Sequence, residues 1–240
     1  MRLQEISSVP NESSVDPLAD FIQSIQEEEQ GQLGYGVKRA FDATVAFILI
    51  ALSLPLMIII ALCIKLTSKG PVLFVQERVG KGGKSFKFFK FRSMTHNNDT
   101  SIHEKFMEKL IRGEVEAEDS TGPQYKMEND PRITEFGHFI RKTSLDELPQ
   151  LFNVLNGSMS LVGPRPPIPY EVKAYKSWHL QRLSIKPGVT GLWQVSGRSS
   201  IAFDEMVELD LEYIEKRNFF LDLKILLQTI PAALNTSTAA

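Results

Sequence analysis

The sequence has few of the residues on which disulfide-stabilised, zinc-dependent or nucleic-acid-binding proteins depend. It has a single cysteine, Cys63, which excludes an internal disulfide. Of its four histidines, His96 and His103 stand seven residues apart without a matching third ligand, so we expect no zinc site. The net charge of −2 is small and no RNA- or DNA-binding motif is present, so nucleic acid is not an expected partner.

Familiar catalytic signatures are absent as well. We find no internal repeat and no GxSxG, HExxH or GxGxxG motif. Gly83-Lys84-Ser85 matches only the end of a phosphate-binding P-loop, because Arg78 stands where that pattern needs glycine. The polar, acidic N-terminus has no recognisable cleavable signal peptide. Two features stand out instead: the uncharged run at residues 43–64, and residues 141–149, in which two adjacent acids follow two cations.

Charge is spread unevenly along the chain. Residues 1–36 have one cation and seven acids, whereas the rest has a small excess of cations. We interpret residues 1–36 as a flexible acidic extension, within which residues 17–26 could form a short helix, and residues 235–240 as a C-terminal tail. A mildly basic body favours anionic partners such as phosphates or lipid head groups.

Residues 43–64 form a run of 22 residues without a charge. As a helix this run would be about 33 Å long, enough to cross the hydrocarbon core of a bilayer. However, Pro55, close behind Ser53, removes a backbone hydrogen bond past the middle. Cations also flank both ends, whereas a spanning helix should show them on its cytoplasmic side only. A helix that is broken at Ser53 and Pro55 and returns to the cytoplasmic face therefore fits better, although an ordinary span stays open. Both interpretations bind the chain to a membrane.

Residues 71–94 have the pattern of a β-hairpin, with two β-prone segments around a glycine-rich turn. Alternation in the second segment places Lys90 and Arg92 on one side, where they could face an anion. Lys84 and Lys87 are more typical of a solvated strand face.

Residues 141–149 place two adjacent acids, Asp146 and Glu147, a few residues after two cations. Acids beside fixed cations suit phosphate and metal chemistry, because each charge holds its neighbours in the ionised form. A structural interpretation stays open beside this one, since Ser144 and Glu147 have the spacing of a helix capping box. With Asp146 as the N-cap instead, Pro149 would lie in the first helical turn, where a proline costs nothing.

Two glycine- and proline-rich segments of the C-terminal half each contain an arginine that could bind an anion. These candidates are Arg165 in residues 163–167 and Arg198 in residues 186–198. A strongly apolar segment near the C-terminus is short for a span and suits a helix in the membrane interface. Helices are expected at residues 103–112, 170–184, 203–215 and 219–234.

Several of these motifs, in this order, resemble the bacterial sugar transferases, which are small monotopic phosphoglycosyl transferases acting on polyprenol phosphate. The resemblance covers about residues 38–234. The matching stretches are Lys38-Arg39-x-x-Asp42, Lys90-Phe91-Arg92-Ser93-Met94, the segment from Ser144 to Leu155, Gly157-x-Met159-Ser160-Leu161-Val162-Gly163-Pro164-Arg165-Pro166, and Lys186-Pro187-Gly188-Val189-Thr190-Gly191.

The resemblance implies a mostly α-helical α/β monotopic membrane protein. Residues 37–69 would form a re-entrant membrane helix, and residues 70–234 a cytosolic catalytic domain with a small β-hairpin and interfacial amphipathic helices. It also implies a Mg²⁺-dependent transfer of a sugar-1-phosphate from a UDP-sugar to undecaprenyl phosphate, with release of UMP. The reaction would occur at the cytoplasmic face of the bacterial inner membrane, in contact with its lipids.

The resemblance also implies roles for individual residues. Asp146 would be the nucleophile and a Mg²⁺ ligand, forming a covalent phosphosugar adduct, and Glu147 would complete the catalytic dyad. Lys90, Arg141 and Arg165 would hold phosphate oxygens. A membrane-anchored scaffold without activity and a polyprenyl-phosphate phosphatase are the alternatives, and a homodimer is possible. The sugar and the glycan pathway stay open.

Overall fold

The computed structural model describes most of the chain after its acidic extension. The described residues are 34–95, 101–113, 132–196 and 201–234. The predictions outside these ranges are the acidic extension up to residue 33, with its short helix at 17–26, the anion ligand Arg198, and the C-terminal tail at 235–240.

The described chain is mostly helical, as expected, and contains two small sheets, of which only the β-hairpin was predicted. Short 3₁₀ turns at Lys81–Gly83, Leu145–Glu147 and Ser177–Ser184 connect the regular elements. The regular elements are α1 (Gly34–Thr67), β1 (Leu73–Val79), β2 (Ser85–Phe91), α2 (Ser101–Arg112), α3 (Glu135–Lys142), α4 (Gln150–Asn156), β3 (Ser160–Val162), α5 (Pro169–Lys173), β4 (Gly188–Thr190), α6 (Leu192–Ser196), α7 (Phe203–Lys216) and α8 (Phe219–Leu234).

The apolar run forms the helix α1, whose 34 residues extend about 51 Å. By length and composition it is the one helix in the described ranges that could cross a membrane. Pro55 lies inside it, and helical backbone continues on both sides. The Ser53 hydroxyl donates to the Leu49 carbonyl at 2.6 Å. The predicted break therefore does not divide α1 into two helices, because a proline removes only one N–H from the ladder.

One face of α1 packs along the rest of the protein on both sides of Pro55. Ala46 belongs to the core around Val154, and Ile60 belongs to the core around Phe91. The opposite face is apolar and exposed; Leu52, for example, is 74% exposed. The buried positions are three, four or eleven residues apart, which are close to whole numbers of helical turns and place them on one helix face: Asp42, Ala46, Met57, Ile60 and Ile64.

Polar contacts fasten the first turns of α1 to the body. The Lys38 ammonium lies 2.6 Å from an Asp222 carboxylate oxygen, and the Ser160 hydroxyl donates to Asp42 at 2.7 Å. Arg39 donates to two carbonyls at the end of α4, at 2.6 and 2.7 Å. The Val154 carbonyl also accepts the Gly157 N–H at 3.0 Å, so Arg39 adds a second hydrogen bond at the C-terminal end of α4.

The predicted hairpin is confirmed. β1 and β2 pair antiparallel, from Leu73 opposite Phe91 to Val79 opposite Ser85. Lys84 is exposed at the turn and Lys87 on the strand, as expected of solvated cations.

β3 and β4 pair in parallel, which the sequence analysis did not anticipate. The two backbones come unusually close at Gly163 and Gly188. A Cβ on Gly188 would overlap the Gly163 amide nitrogen and lie 2.7 Å from its carbonyl oxygen. Glycine is therefore required at position 188 by the close approach of the two backbones.

The predictions of helices at 103–112, 203–215 and 219–234 are confirmed by α2, α7 and α8. The single helix predicted at 170–184 is wrong. The segment is divided into α5 and a 3₁₀ turn, and the Lys176 N–H at the division donates to Nδ1 of His179 at 3.2 Å. His179 is fully buried against the rings of Trp178 and Phe203, so tertiary packing sets this local structure.

Candidate active site

Asp146 and Glu147 lie in the 3₁₀ turn between α3 and α4. Ser144, just before the turn, has φ 56° in the left-handed region and makes no capping hydrogen bond. The capping-box interpretation is therefore wrong. Asp146 as N-cap is wrong as well, because α4 begins at Gln150 and Pro149 is its N-cap. A non-glycine residue in left-handed backbone is costly, and such residues cluster at functional sites.

Lys90 of β2 reaches both carboxylates from 57 residues away in the chain. Its ammonium lies 2.7 Å from a Glu147 oxygen and 3.8 Å from an Asp146 oxygen. Asp146 is buried, at 7% exposed, so a neighbouring cation stabilises its ionised form. Lys90 was predicted to hold phosphate oxygens, and in the structure its ammonium contacts the two carboxylates.

Asn153 of α4 holds the hairpin in this position. Its side-chain amide donates to the Lys87 carbonyl at 2.6 Å and accepts from the Phe89 N–H at 3.1 Å. These two bonds fix β2 against α4, and thereby Lys90 against the dyad. We did not single out Asn153 from the sequence, although a polar residue within an otherwise apolar helical segment was a usable signal.

Arg165 lies in the proline-rich turn after β3, and it borders the same cavity as Glu147. Arg78 of β1 fastens this turn, because its guanidinium donates to the Pro166 carbonyl at 2.9 Å. Next to it, the Val79 N–H donates to the Pro167 carbonyl at 2.9 Å. The hairpin thus positions both Lys90 and the turn that bears Arg165. Arg78 entered the sequence analysis only as a mismatch to the P-loop.

A buried ion pair lies behind Arg165. Asp210 of α7 accepts from Arg182 at 2.8 Å, and Arg182 also donates to the Tyr175 hydroxyl at 2.9 Å. Burial raises the pKa of the Asp210 carboxyl to about 6, while the charges of Arg182 and Arg165 oppose the rise. Arg165 is therefore close enough to interact electrostatically with the Asp210 carboxylate.

Arg92 and Arg141 have different surroundings from Lys90 and Arg165. Arg92 is buried at the end of β2 and donates to the carbonyl and hydroxyl of Ser68, at 2.9 and 2.7 Å. Burial lowers the pKa of its guanidinium. Arg141, in the last turn of α3, accepts the Ser144 N–H at its carbonyl. The structure therefore brings Lys90 and Arg165 to the dyad, and Arg92 to the end of α1.

The two carboxylates fit a Mg²⁺ ion that is shared with a substrate. No cluster of three or more acidic, histidine or cysteine side chains able to hold a metal occurs among the described residues. Mg²⁺ does not need such a cage, because it is usually bound by one or two carboxylates plus substrate phosphates. A carboxylate such as that of Asp146, with substrate oxygens, would suffice for such a ligand set.

Residues 33–236 match the family model described as bacterial sugar transferase. This match covers most of the chain. The chain belongs to the bacterial sugar transferase family. The resemblance in the motifs is thereby confirmed, and it includes the segments that bear the dyad, Lys90 and Arg165.

Relatives within the family bear informative names. The chain is 39% identical over 200 residues to the exopolysaccharide production protein ExoY of Rhizobium meliloti, covering 83% of this chain and 86% of ExoY. It is 43% identical over 204 residues to the undecaprenyl-phosphate galactose phosphotransferase of Salmonella typhimurium, a match that covers 85% of this chain and 41% of that protein. It is 40% identical over 193 residues to the UDP-glucose:undecaprenyl-phosphate glucose-1-phosphate transferase of Xanthomonas campestris, a match that covers 77% of this chain and 36% of that protein. The chain thus spans only about two fifths of several longer relatives.

Proposed function

We propose that this bacterial sugar transferase moves a sugar-1-phosphate from a UDP-sugar to undecaprenyl phosphate and releases UMP. The observation that supports this most directly is the buried Asp146 beside Glu147, with Lys90 on both carboxylates and Arg165 at the same cavity. Phosphoryl transfer depends mainly on such positioning and charge stabilisation.

The reaction proceeds in two displacements at phosphorus. In the first, an Asp146 carboxylate oxygen attacks the β-phosphorus of the donor. An oxygen–phosphorus bond forms, the bond to the oxygen bridging the two phosphates breaks, and UMP leaves with that electron pair. In the second, an oxygen of the lipid phosphate attacks the same phosphorus and displaces Asp146 as a free carboxylate. Covalent catalysis thus divides one hard step into two easier ones.

The surrounding residues have distinct tasks. Arg165 binds phosphate oxygens, since a guanidinium fork fits phosphate at two points. Lys90 keeps Asp146 ionised before attack and compensates the charge of Glu147. Glu147 orients or deprotonates the lipid phosphate. When bound, Mg²⁺ would be held by Asp146 and substrate oxygens. It would neutralise the negative charge of the phosphates, which otherwise repels an anionic nucleophile.

The acceptor is a lipid, so the site has to lie at the membrane surface. We propose that α1 enters the inner membrane from the cytoplasm and returns to it. Residues on both sides of Pro55 pack on one body, and Leu148 contacts the clusters of both halves. A spanning helix would carry its second half away from that body. Pro55 itself is exposed on the opposite side, where its ring crowds the preceding turn and favours a bend towards the body.

Exposed apolar side chains on other helices support the same placement. They suit helices that lie in the membrane interface and hold the dyad at head-group depth. Fixing the site at that depth raises the effective concentration of the acceptor. These side chains are Phe139 on α3, Phe152 on α4, and Phe219, Phe220, Leu227 and Ile230 on α8.

Topology can be tested by labelling with a membrane-impermeant maleimide. In a Cys63→Ser background, single cysteines are placed by Gly34→Cys and Lys69→Cys, at the two ends of α1. We expect both to be labelled in inverted inner-membrane vesicles and neither in right-side-out vesicles. Labelling of the two positions from opposite sides would mean that α1 is an ordinary span.

The activity can be tested with purified protein, undecaprenyl phosphate, Mg²⁺ and a panel of UDP-sugars. We expect UMP and a sugar–diphosphate lipid in equal amounts. Galactose and glucose are the first sugars to test, because relatives are named for them. Free phosphate without a sugar lipid would favour a phosphatase, and no turnover of any donor would favour a scaffold. The homodimer stays a prediction.

A further inference from the structure

A narrow cavity opens beside Glu147 on the side of Arg165. Its walls include the side chains of Gln150 and Gln194 and the backbone of Gly188. Its volume is about 10 Å³, roughly the space that one water molecule requires. A group of the size of a hydroxyl fits this space.

Two carboxamides face this cavity with hydrogen-bonding capacity to spare. Gln150 is 2% exposed, and its side chain has no hydrogen bond within the described part of the chain. The Oε1 atom of Gln194 is buried without a partner, and its Nε2 makes one long contact of 3.4 Å with the Val189 carbonyl. Buried polar groups are almost always hydrogen-bonded, so the unpaired Oε1 of Gln194 at this small cavity indicates a ligand group that completes it, with the Gln150 amide beside it.

We propose that this cavity receives one hydroxyl group of the transferred sugar, and that Gln150 and Gln194 recognise it. A hydroxyl both donates and accepts, so it can donate to Oε1 of Gln194 while accepting from the amide of Gln150. A water molecule can also satisfy both carboxamides, and a cavity that holds only water predicts that replacing them leaves the choice of sugar unchanged.

The position of the cavity indicates that the sugar of the donor, and not its nucleotide, supplies the hydroxyl. This step rests on the proposed function, in which Asp146 attacks the β-phosphate and Arg165 binds phosphate oxygens. The sugar is bonded directly to that phosphate, whereas the uracil base is separated from it by the α-phosphate and the ribose. A cavity that borders Glu147 and Arg165 therefore lies within reach of the sugar ring.

Recognition of one hydroxyl would make these glutamines determinants of specificity. Epimeric sugars differ only in the direction of one hydroxyl group. A site built to hydrogen-bond that group discriminates strongly against the epimer, because its own buried polar groups are then left unpaired.

The test compares UDP-galactose with UDP-glucose, which are epimers at one carbon. Gln194→Met and Gln150→Met keep the length of the side chain and remove the amide, and Gln181→Met, at an exposed position, is the matched control. The measurement is kcat/KM for UMP release with each donor, together with inhibition by UMP. We expect either cavity variant to change the ratio of the two kcat/KM values by about tenfold or more. Inhibition by UMP and the control variant should stay within about twofold of the unmodified protein.

Three outcomes would overturn the proposal. If both cavity variants remain folded, release UMP and have the same ratio of kcat/KM for the two donors as the unmodified protein, the cavity does not recognise the sugar. If inhibition by UMP weakens while the ratio holds, the cavity binds the nucleotide. If the unmodified protein releases UMP from no donor, the proposed function itself fails, and this inference fails with it.

Discussion

Replacing Asp146 with asparagine should lower the rate of UMP release by about 10³-fold or more. The carboxamide is neutral and a poor nucleophile, so the covalent route is closed. The substitution also leaves the Lys90 ammonium opposite Glu147 alone, whereas it now lies near both carboxylates. The shape of the side chain is nearly unchanged, so the loss should be chemical and not structural.

The covalent step can be observed directly by intact-protein mass spectrometry. Unmodified protein mixed with UDP-sugar and Mg²⁺, without lipid acceptor, should gain the mass of one sugar phosphate as it releases UMP. Asp146→Asn and Asp146→Ala should gain none. Glu208→Gln, at an exposed position on α7, is the control and should form the adduct normally.

Two results would contradict the assignment of Asp146. One is an adduct that forms equally well in Asp146→Ala. The other is UMP release that persists in both variants at more than about a tenth of the normal rate. Either result would move the nucleophile elsewhere, and Glu147 would be the next residue to replace.

Replacing Gly188 with alanine should lower the free energy of unfolding by about 3 kcal/mol or more, at the upper end for overpacking. The added Cβ would overlap the backbone of Gly163, and no side-chain rotation can relieve a clash between two backbones. Separation of β3 from β4 would also break the hydrogen bond from the Gly188 N–H to the Pro164 carbonyl, at 2.8 Å. Arg165 follows directly, so any folded protein should also lose transfer activity.

Thermal unfolding in detergent, with UMP release measured on the folded fraction, checks this prediction. Gly36→Ala is the matched control, since a Cβ there would meet no atom within 4 Å. Gly36 lies within α1, so alanine should stabilise it by about 0.5–1 kcal/mol. Equal stability of the two variants would contradict the close approach of β3 and β4.

Much of the fold follows from local patterns in the chain. The uncharged run predicts α1, the alternation around a glycine-rich turn predicts β1 and β2, and apolar periodicity predicts α2, α7 and α8. These predictions succeeded because helices and hairpins depend on contacts between residues close in sequence.

The turn at the dyad illustrates where local reasoning fails. Ser144 and Glu147 have the spacing of a capping box, yet Ser144 adopts left-handed backbone and caps nothing. The spacing of Ser144 and Glu147 could not reveal this, because the surrounding packing decides the backbone conformation. Leu145 and Leu148 both pack against the core cluster that contains Phe91 and Ile140. Similarly, His179 is buried among aromatic rings and interrupts a segment that would otherwise suit one helix.

The sequence by itself determined that the protein contains a long apolar helix, and its motifs pointed to Asp146, Glu147, Lys90 and Arg165. The tertiary structure alone shows that the hairpin holds these residues together. Arg78 hydrogen-bonds the turn that bears Arg165, and Asn153 hydrogen-bonds the strand that bears Lys90. The tertiary structure also decided that Arg92 binds the end of α1. The physical reason is distance along the chain: these contacts join residues far apart in sequence, and only the packing of the whole body brings them into reach.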